Sequence, residues 1–175
     1  MNDHHNGAEG ADRTDTARGP SETEGLRIGR DLVYGIARVR IHSQPQDREL
    51  TLDLYQPSDC KPGDRRPALV MAFGGAFHRG DKRQDEFEQA GQRNTPVSAY
   101  CAALARRGYV AASIDYRLVQ EDPDPGVTPV IGNPQGIPLS RVAHVRQLLG
   151  LPPATAEMVW AGMEAAADDM AQSVA

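Results

Sequence analysis

Pro-Ala-Leu-Val-Met-Ala-Phe-Gly-Gly-Ala-Phe-His-Arg-Gly-Asp-Lys, residues 67–82, decides how the rest of the chain is read. The apolar run Ala68–Phe73 has the length of a buried strand and is too short for a helix. Gly74 and Gly75 end it at once. Two glycines after a buried strand let the backbone turn sharply and let another group approach closely. Phe77 and a polar loop, His78–Lys82, follow. A structural glycine turn in an α/β domain is the plainest account of this pattern. A phosphate cradle is a second account, because Gly75-x-x-x-x-Gly80-Asp81-Lys82 is close to Gly-x-x-x-x-Gly-Lys-Ser/Thr. Asp81 stands against it. A carboxylate where the lysine belongs repels phosphate, and no Ser or Thr follows Lys82.

Upstream, Val33, Gly35, Ala37, Val39 and Ile41 alternate with Tyr34, Ile36, Arg38 and Arg40. Leu50, Leu52 and Leu54 alternate with Thr51, Asp53 and Tyr55. Two period-2 runs around Gln44-Pro45-Gln46-Asp47 predict an antiparallel hairpin with its turn at those four residues. Pro57–Arg66 reads as a loop with Pro62-Gly63-Asp64 at its tip. Downstream, the charged segment after Lys82 reads as irregular or as one loose helix. Thr95-Pro96 predicts a helix start, with Thr95 as N-cap. Val97, Tyr100, Cys101 and Leu104 form its apolar face, and Gly108 stops it. Tyr109–Ile114 is a second buried strand. Strand, helix and strand at this spacing predict a βαβ crossover with parallel strands. Residues 119–153 carry many prolines and glycines, with a short helix over Ser140–Leu149 that holds His144. This segment is either a rim to a site or a plain surface excursion. Thr155 caps a last helix whose stripe Val159, Met163, Ala166, Met170 and Val174 reads as core. Asp168 falls on its opposite face and Asp169 on its flank.

Composition narrows the classes. A chain of 175 residues suits one ordinary domain. A net charge of −5 and 39% hydrophobic residues point neither to nucleic acid nor to a membrane surface. No apolar run is long enough to span a bilayer. Cys60 and Cys101 lack metal or redox spacing and read as free thiols. Residues 1–25 are polar and glycine-bearing, without a signal peptide's apolar centre, and read as a disordered tail. His4-His5 in that tail has no partner that would make it a metal site. Residues 26–175 read as one α/β domain, expected in the cytoplasm.

The strand, Gly-Gly-Ala-Phe and loop of the opening stretch resemble the oxyanion-hole segment of α/β-hydrolase-fold esterases and lipases, usually His-Gly-Gly-Gly-Phe or Trp. Two residues depart from that pattern. Phe73 stands where many relatives have His, and Ala76 where Gly is commoner, a methyl being tolerable if φ stays negative. Ser113-Ile114-Asp115-Tyr116-Arg117-Leu118 resembles the Asp-Tyr-Arg-Leu segment of the hormone-sensitive-lipase and carboxylesterase branches. Glu164–Ala171 resembles the helix that precedes the nucleophile strand in the same enzymes. The resemblance runs from Leu32 to Ala175. It implies a partial α/β-hydrolase fold, an N-terminal antiparallel hairpin followed by a parallel βαβ unit. The strands would stand in the spatial order first, second, fourth, third. It implies that the N–H groups of Gly75 and Ala76 form an oxyanion hole, with Gly74 and Phe77 beside the substrate. Asp115, Arg117 and Asp169 would then be structural.

The family's nucleophile is a serine in Gly-x-Ser-x-Gly. Ser21, Ser43, Ser58, Ser98, Ser113, Ser140 and Ser173 all lack the flanking glycines. His78 has no nucleophile to serve as base. The expectation is therefore a carboxylic-ester hydrolase fold truncated before its nucleophile strand, with no catalytic residue, cofactor or metal of its own. Its partner would be a small-molecule ester, and its oligomeric state stays open. The alternative is a non-catalytic α/β domain that binds a partner or a small ligand.

Overall fold

The computed structural model describes residues 21–23, 25–41, 43–126 and 130–175. In chain order these form β1 (Ser21–Thr23), β2 (Leu26–Ile41), β3 (Gln44–Pro57), β4 (Ala68–Ala72), β5 (Glu88–Gln89), β6 (Gln92–Arg93), α1 (Val97–Ala105), β7 (Val110–Ile114), α2 (Leu139–Leu148) and α3 (Ala156–Gln172). Short 3-10 turns lie at Val119–Glu121 and Pro134–Gly136.

One sheet has the order β1-β2-β3-β7-β4, and β5-β6 form a separate two-stranded ribbon. β2 and β3 pair antiparallel, β3 pairs antiparallel with β7, and β4 pairs parallel with β7. From the hairpin inward this is the order first, second, fourth, third. The fold class is α/β, with an antiparallel hairpin followed by a parallel βαβ unit, as expected. The parallel pair follows from the crossover through α1, which returns the chain to the sheet in the same direction. Small residues let α1 lie close. Ala105 and Cys101 on the helix meet Ala111 on β7, and Leu26, Ile28 and Tyr55 complete the cluster. A second cluster, Phe73, Val97, Tyr116 and Ala166, joins the end of β4 to α3.

Several expectations are corrected. The hairpin turn is not at Gln44–Asp47. Those four residues pair with Ile41, Arg40, Val39 and Arg38, and the chain reverses between Ile41 and Gln44, with Ser43 at φ 63°. A short connection with a residue at positive φ matches the strands' twist better than a four-residue loop. The period-2 pattern also breaks, because β2 slips register between Gly29 and Leu32 and between Val33 and Gly35. Each irregularity shifts which side chains face inward. Val39 is buried while Val33 and Ile41 are exposed. On β3 the buried set is Leu50, Asp53, Tyr55 and Pro57, not Leu50, Leu52 and Leu54. Of the two readings of the segment after Lys82, the irregular one holds, since residues 83–94 form a loop with the small ribbon.

Pro96, not Thr95, is the N-cap of α1, and its first N–H, at Val97, is met by the Asp85 carboxylate at 3.1 Å. Tyr100 is half exposed and leaves the apolar face to Val97, Cys101 and Ala105. Thr155 does cap α3, accepting from the Met158 N–H at 3.2 Å. Val174 lies beyond the end of α3 and is exposed. Of the expected tail, residues 1–20 lie outside the described residues. Ser21–Thr23 pair with β2.

β4 departs from its reading as a fully buried strand. All five of its residues are apolar, yet Ala68, Leu69 and Ala72 are exposed. It ends the sheet, so among the described residues its outer edge is unpaired.

Candidate functional site

Gly74–Phe77 leave the C-terminal end of β4, where open α/β sheets place ligands. Phe73 is buried and stacks on Tyr116 with ring centroids 4.4 Å apart. The Tyr116 hydroxyl donates to the Phe73 carbonyl at 2.9 Å. An aromatic stack and a side-chain hydrogen bond thus fix the loop's entry. A Cβ on Gly74 would meet nothing within 4 Å. Gly75 has φ +124°, and a Cβ there would lie 2.2 Å from the Arg79 carbonyl oxygen. Ala76 and Phe77 have φ 55° and 62°. The condition set for a methyl at Ala76, a negative φ, is therefore not met. The loop turns left-handed because the His78 N–H reaches back to the Gly75 carbonyl at 3.0 Å. Two non-glycine residues in that region cost about 1–3 kcal/mol each, which the surrounding contacts must offset.

His78 is fully buried. Its Nδ1 lies 2.6 Å from the Ala76 carbonyl oxygen and its Nε2 3.2 Å from Arg146 Nη1. A guanidinium only donates, so Nε2 accepts and Nδ1 carries the proton. Burial holds the imidazole below its ordinary pKa, and the Arg146 charge pushes the same way against the Ala76 carbonyl. Arg146 reaches His78 from α2 and also donates from Nε to the Pro152 carbonyl at 2.5 Å. Among the described residues, no acceptor meets the N–H of Gly75, Ala76 or Phe77.

These residues border an apolar cavity of about 450 Å³. Phe73, Gly74, Gly75, Ala76, Phe77 and Tyr116 form one wall, Met163, Ala166 and Met170 of α3 another, and Val130 and Ile131 a third. The size is ordinary for a small-molecule site. The methionine stripe is thus only partly core. Its middle lines this space. Glu164, one position past Met163, is buried and accepts from the N–H groups of Val130, at 2.8 Å, and Ile131, at 2.5 Å. Trp160 Nε1 donates to the Ile131 carbonyl at 3.3 Å. Part of the 119–153 segment therefore walls the cavity, while His144 on α2 is exposed and away from it.

The charged residues of the two family-like segments are structural anchors. Lys82 is buried, with Nζ 2.6 Å from Asp115, 3.0 Å from Asp31 and 2.7 Å from the Thr51 hydroxyl. Asp115 also accepts the Lys82 N–H at 2.8 Å. It fixes the loop that precedes it in the chain. Asp81 accepts the N–H groups of Arg83 and Gln84, each at 2.7 Å. The phosphate cradle is disfavoured, since its lysine is committed to Asp115 and Asp31 and its Asp81 carboxylate is held by the amides that follow it. Arg117 and Asp169 form a buried pair, with Nη2–Oδ1 at 2.7 Å and Nε–Oδ1 at 2.9 Å. Asp168, expected on the opposite face of α3, lies 3.6 Å from the same guanidinium.

Among the described residues no cluster of His, Cys, Asp and Glu could hold a metal ion, and Cys60 and Cys101 are free and buried. None of the described helices is long and apolar enough to cross a membrane. The functional parts that sequence reasoning missed are the Arg146 contact, the Glu164 clamp and the cavity.

No protein-family model and no curated protein matches the chain. Among solved structures the chain is similar to esterase 2 of the planctomycete Thermogutta terrifontis. The form phosphorylated by paraoxon matches at 29% identity and a TM-score of 0.38, over 59% of this chain and 31% of that one. The native form matches at 30% identity and 0.37, over 59% and 29%. The form phosphoramylated by tabun matches at 28% and 0.38, over 60% and 31%. The chain spans less than a third of the length of the esterases it is similar to.

Proposed function

We propose that the chain supplies the oxyanion-binding and substrate-facing part of a serine carboxylic-ester hydrolase of carboxylesterase or lipase type. The observation that carries this reading is the loop after β4. The amides of Gly75 and Ala76 meet no acceptor among the described residues, and both residues border an apolar cavity. Fixed N–H donors stabilise an alkoxide because they need not reorganise as charge develops. In the complete enzyme a serine would attack the ester carbonyl, and its oxygen would take negative charge against these amides. The alcohol would then leave, and water would release the acid from the acyl-serine. Gly74, open on its Cβ side, and Phe77 would border the bound ester. The serine belongs to a Gly-x-Ser-x-Gly element that this sequence lacks.

The test is turnover of p-nitrophenyl butyrate by this chain and by the chain extended through its downstream coding sequence. The expected result is saturable activity only in an extension that adds a Gly-x-Ser-x-Gly strand. Saturable activity of the chain itself, lost on replacing one of its own serines, would overturn the reading.

A second reading, a non-catalytic α/β domain that binds a partner, is favoured by one observation. Leu69 on the unpaired edge of β4 is exposed in a strand of wholly apolar sequence. Stable capture of a ligand or partner with no ester turnover in any extended form would support it.

A further inference from the structure

We infer that His78 is the positioning residue that aims the oxyanion donors, and that the aimed pair is Ala76 and Phe77. The inference rests on the ester-hydrolase reading and revises its donor pair. In a trans peptide the N–H points opposite the carbonyl of the same unit. No cis peptide occurs among the described residues. The carbonyl of the Gly75–Ala76 unit is held by the His78 N–H at 3.0 Å, so the Ala76 N–H faces away from His78. The carbonyl of the Ala76–Phe77 unit is held by His78 Nδ1 at 2.6 Å, so the Phe77 N–H also faces away from it. One residue thereby fixes two consecutive peptide planes. The Gly74 carbonyl, opposite the Gly75 N–H, has no such partner among the described residues. Gly75 is needed for its φ, while the two aimed donors come after it.

Arg146 makes the arrangement specific to one tautomer. Its guanidinium presents only donors to Nε2, so a proton there would face Nη1–H at 3.2 Å, and the proton stays on Nδ1. α2, which brings Arg146, is thereby tied to the loop it does not otherwise share a strand or helix with. The Gln120 side chain adds a third hold, donating to the His78 carbonyl at 2.6 Å. His78 touches neither the substrate space nor a nucleophile and acts only through the peptide planes.

Nitrogen-15 NMR of the full chain tests this, with Leu69→Lys added if the chain self-associates. Butyrate is the probe, since its carboxylate oxygens accept N–H bonds and its chain is apolar. The expected result is a protonated Nδ1 and an unprotonated Nε2 at His78, and shifts of the Ala76 and Phe77 amides on adding butyrate. His78→Ala should weaken butyrate binding about tenfold, and His78→Asn, whose amide can still donate to the Ala76 carbonyl, should restore most of it. If His78→Ala does not fold, Arg146→Met takes its place and should release the other tautomer and weaken binding. A proton on Nε2 in the wild-type chain overturns the inference. Equal binding by wild type and His78→Ala overturns it while leaving the ester-hydrolase reading intact. Butyrate that shifts neither amide in the wild-type chain sinks that reading, and the positioning role with it.

Discussion

Gly74 and Gly75 are adjacent and identical, yet the structure asks different things of them. A side chain on Gly74 would enter open space, whereas one on Gly75 would strike the Arg79 carbonyl from a backbone angle that L-residues avoid. Gly75→Ala should lose about 2 kcal/mol or more of stability, from strain and a backbone clash that cannot relax cheaply. Gly74→Ala should stay within about 0.5 kcal/mol of wild type. Urea unfolding of the two variants checks the contrast, and equal losses would mean the loop is not built this way. The glycine pair was legible in sequence because backbone freedom leaves a residue-type signature. The role of His78 was not, since it depends on a residue 68 positions away.

His78 also sets a pH dependence. Its folded-state pKa is depressed, chiefly by burial and next by the facing Arg146 charge. The unfolded chain therefore binds a proton before the folded one does. This contribution to stability is fully present above the ordinary histidine value of about 6.5 and is lost as pH falls through the folded value. The urea midpoint should drop between pH 7 and pH 5.5, and His78→Asn should remove that part of the drop. An unchanged slope in the variant would show that His78 does not stay neutral in the fold.

Two contacts between elements hold the arrangement that frames the cavity. The Arg117–Asp169 pair joins the segment after β7 to α3 out of water. Removing one partner strands the other as a buried charge, so Asp169→Ala should cost about 3–5 kcal/mol in thermal or urea unfolding. α3 also approaches the turn at Val119, through Gly162. A Cβ there would lie 2.4 Å from Val119 Cγ2 and 3.2 Å from its Cα. In an open helix Gly→Ala gains about 1 kcal/mol. Overpacking costs about 1–3 kcal/mol. The second effect should win, so Gly162→Ala should lower the melting temperature, and a rise would mean the turn gives way freely.

At this scale the sequence was readable where one physical signal dominated. The βαβ spacing and the cap at Thr155 both held. The hairpin misled because two register slips in β2 separate periodicity from burial. Asp53 shows the consequence. It sits in a run that reads as an outward face, yet it is fully buried between Arg30 and Arg83. Burial raises its pKa, but Arg83, the Asp31 N–H and Arg30 together outweigh that and hold the carboxyl below its ordinary range.

For the whole molecule, the edge of β4 matters most. A five-residue apolar strand normally has both faces and both edges covered in a parallel sheet. Here three of its five residues are exposed and one edge is free among the described residues, although its parallel pairing with β7 is as the βαβ spacing predicts. Topology was legible because crossover connections allow few arrangements, but burial was not, because it depends on what lies against the edge. An exposed apolar edge presents unpaired N–H and C=O groups to any extended chain. The purified protein should therefore sediment as oligomers or larger species, or stay soluble only with a partner. Leu69 is 39% exposed and lines no part of the cavity. A charge there blocks strand addition without touching the loop, so Leu69→Lys should shift the sedimentation profile toward monomer and leave butyrate binding unchanged. If the wild-type chain is already a monomer that melts cooperatively, the free edge is tolerated. The reading of this chain as one part of a larger hydrolase site would then fail.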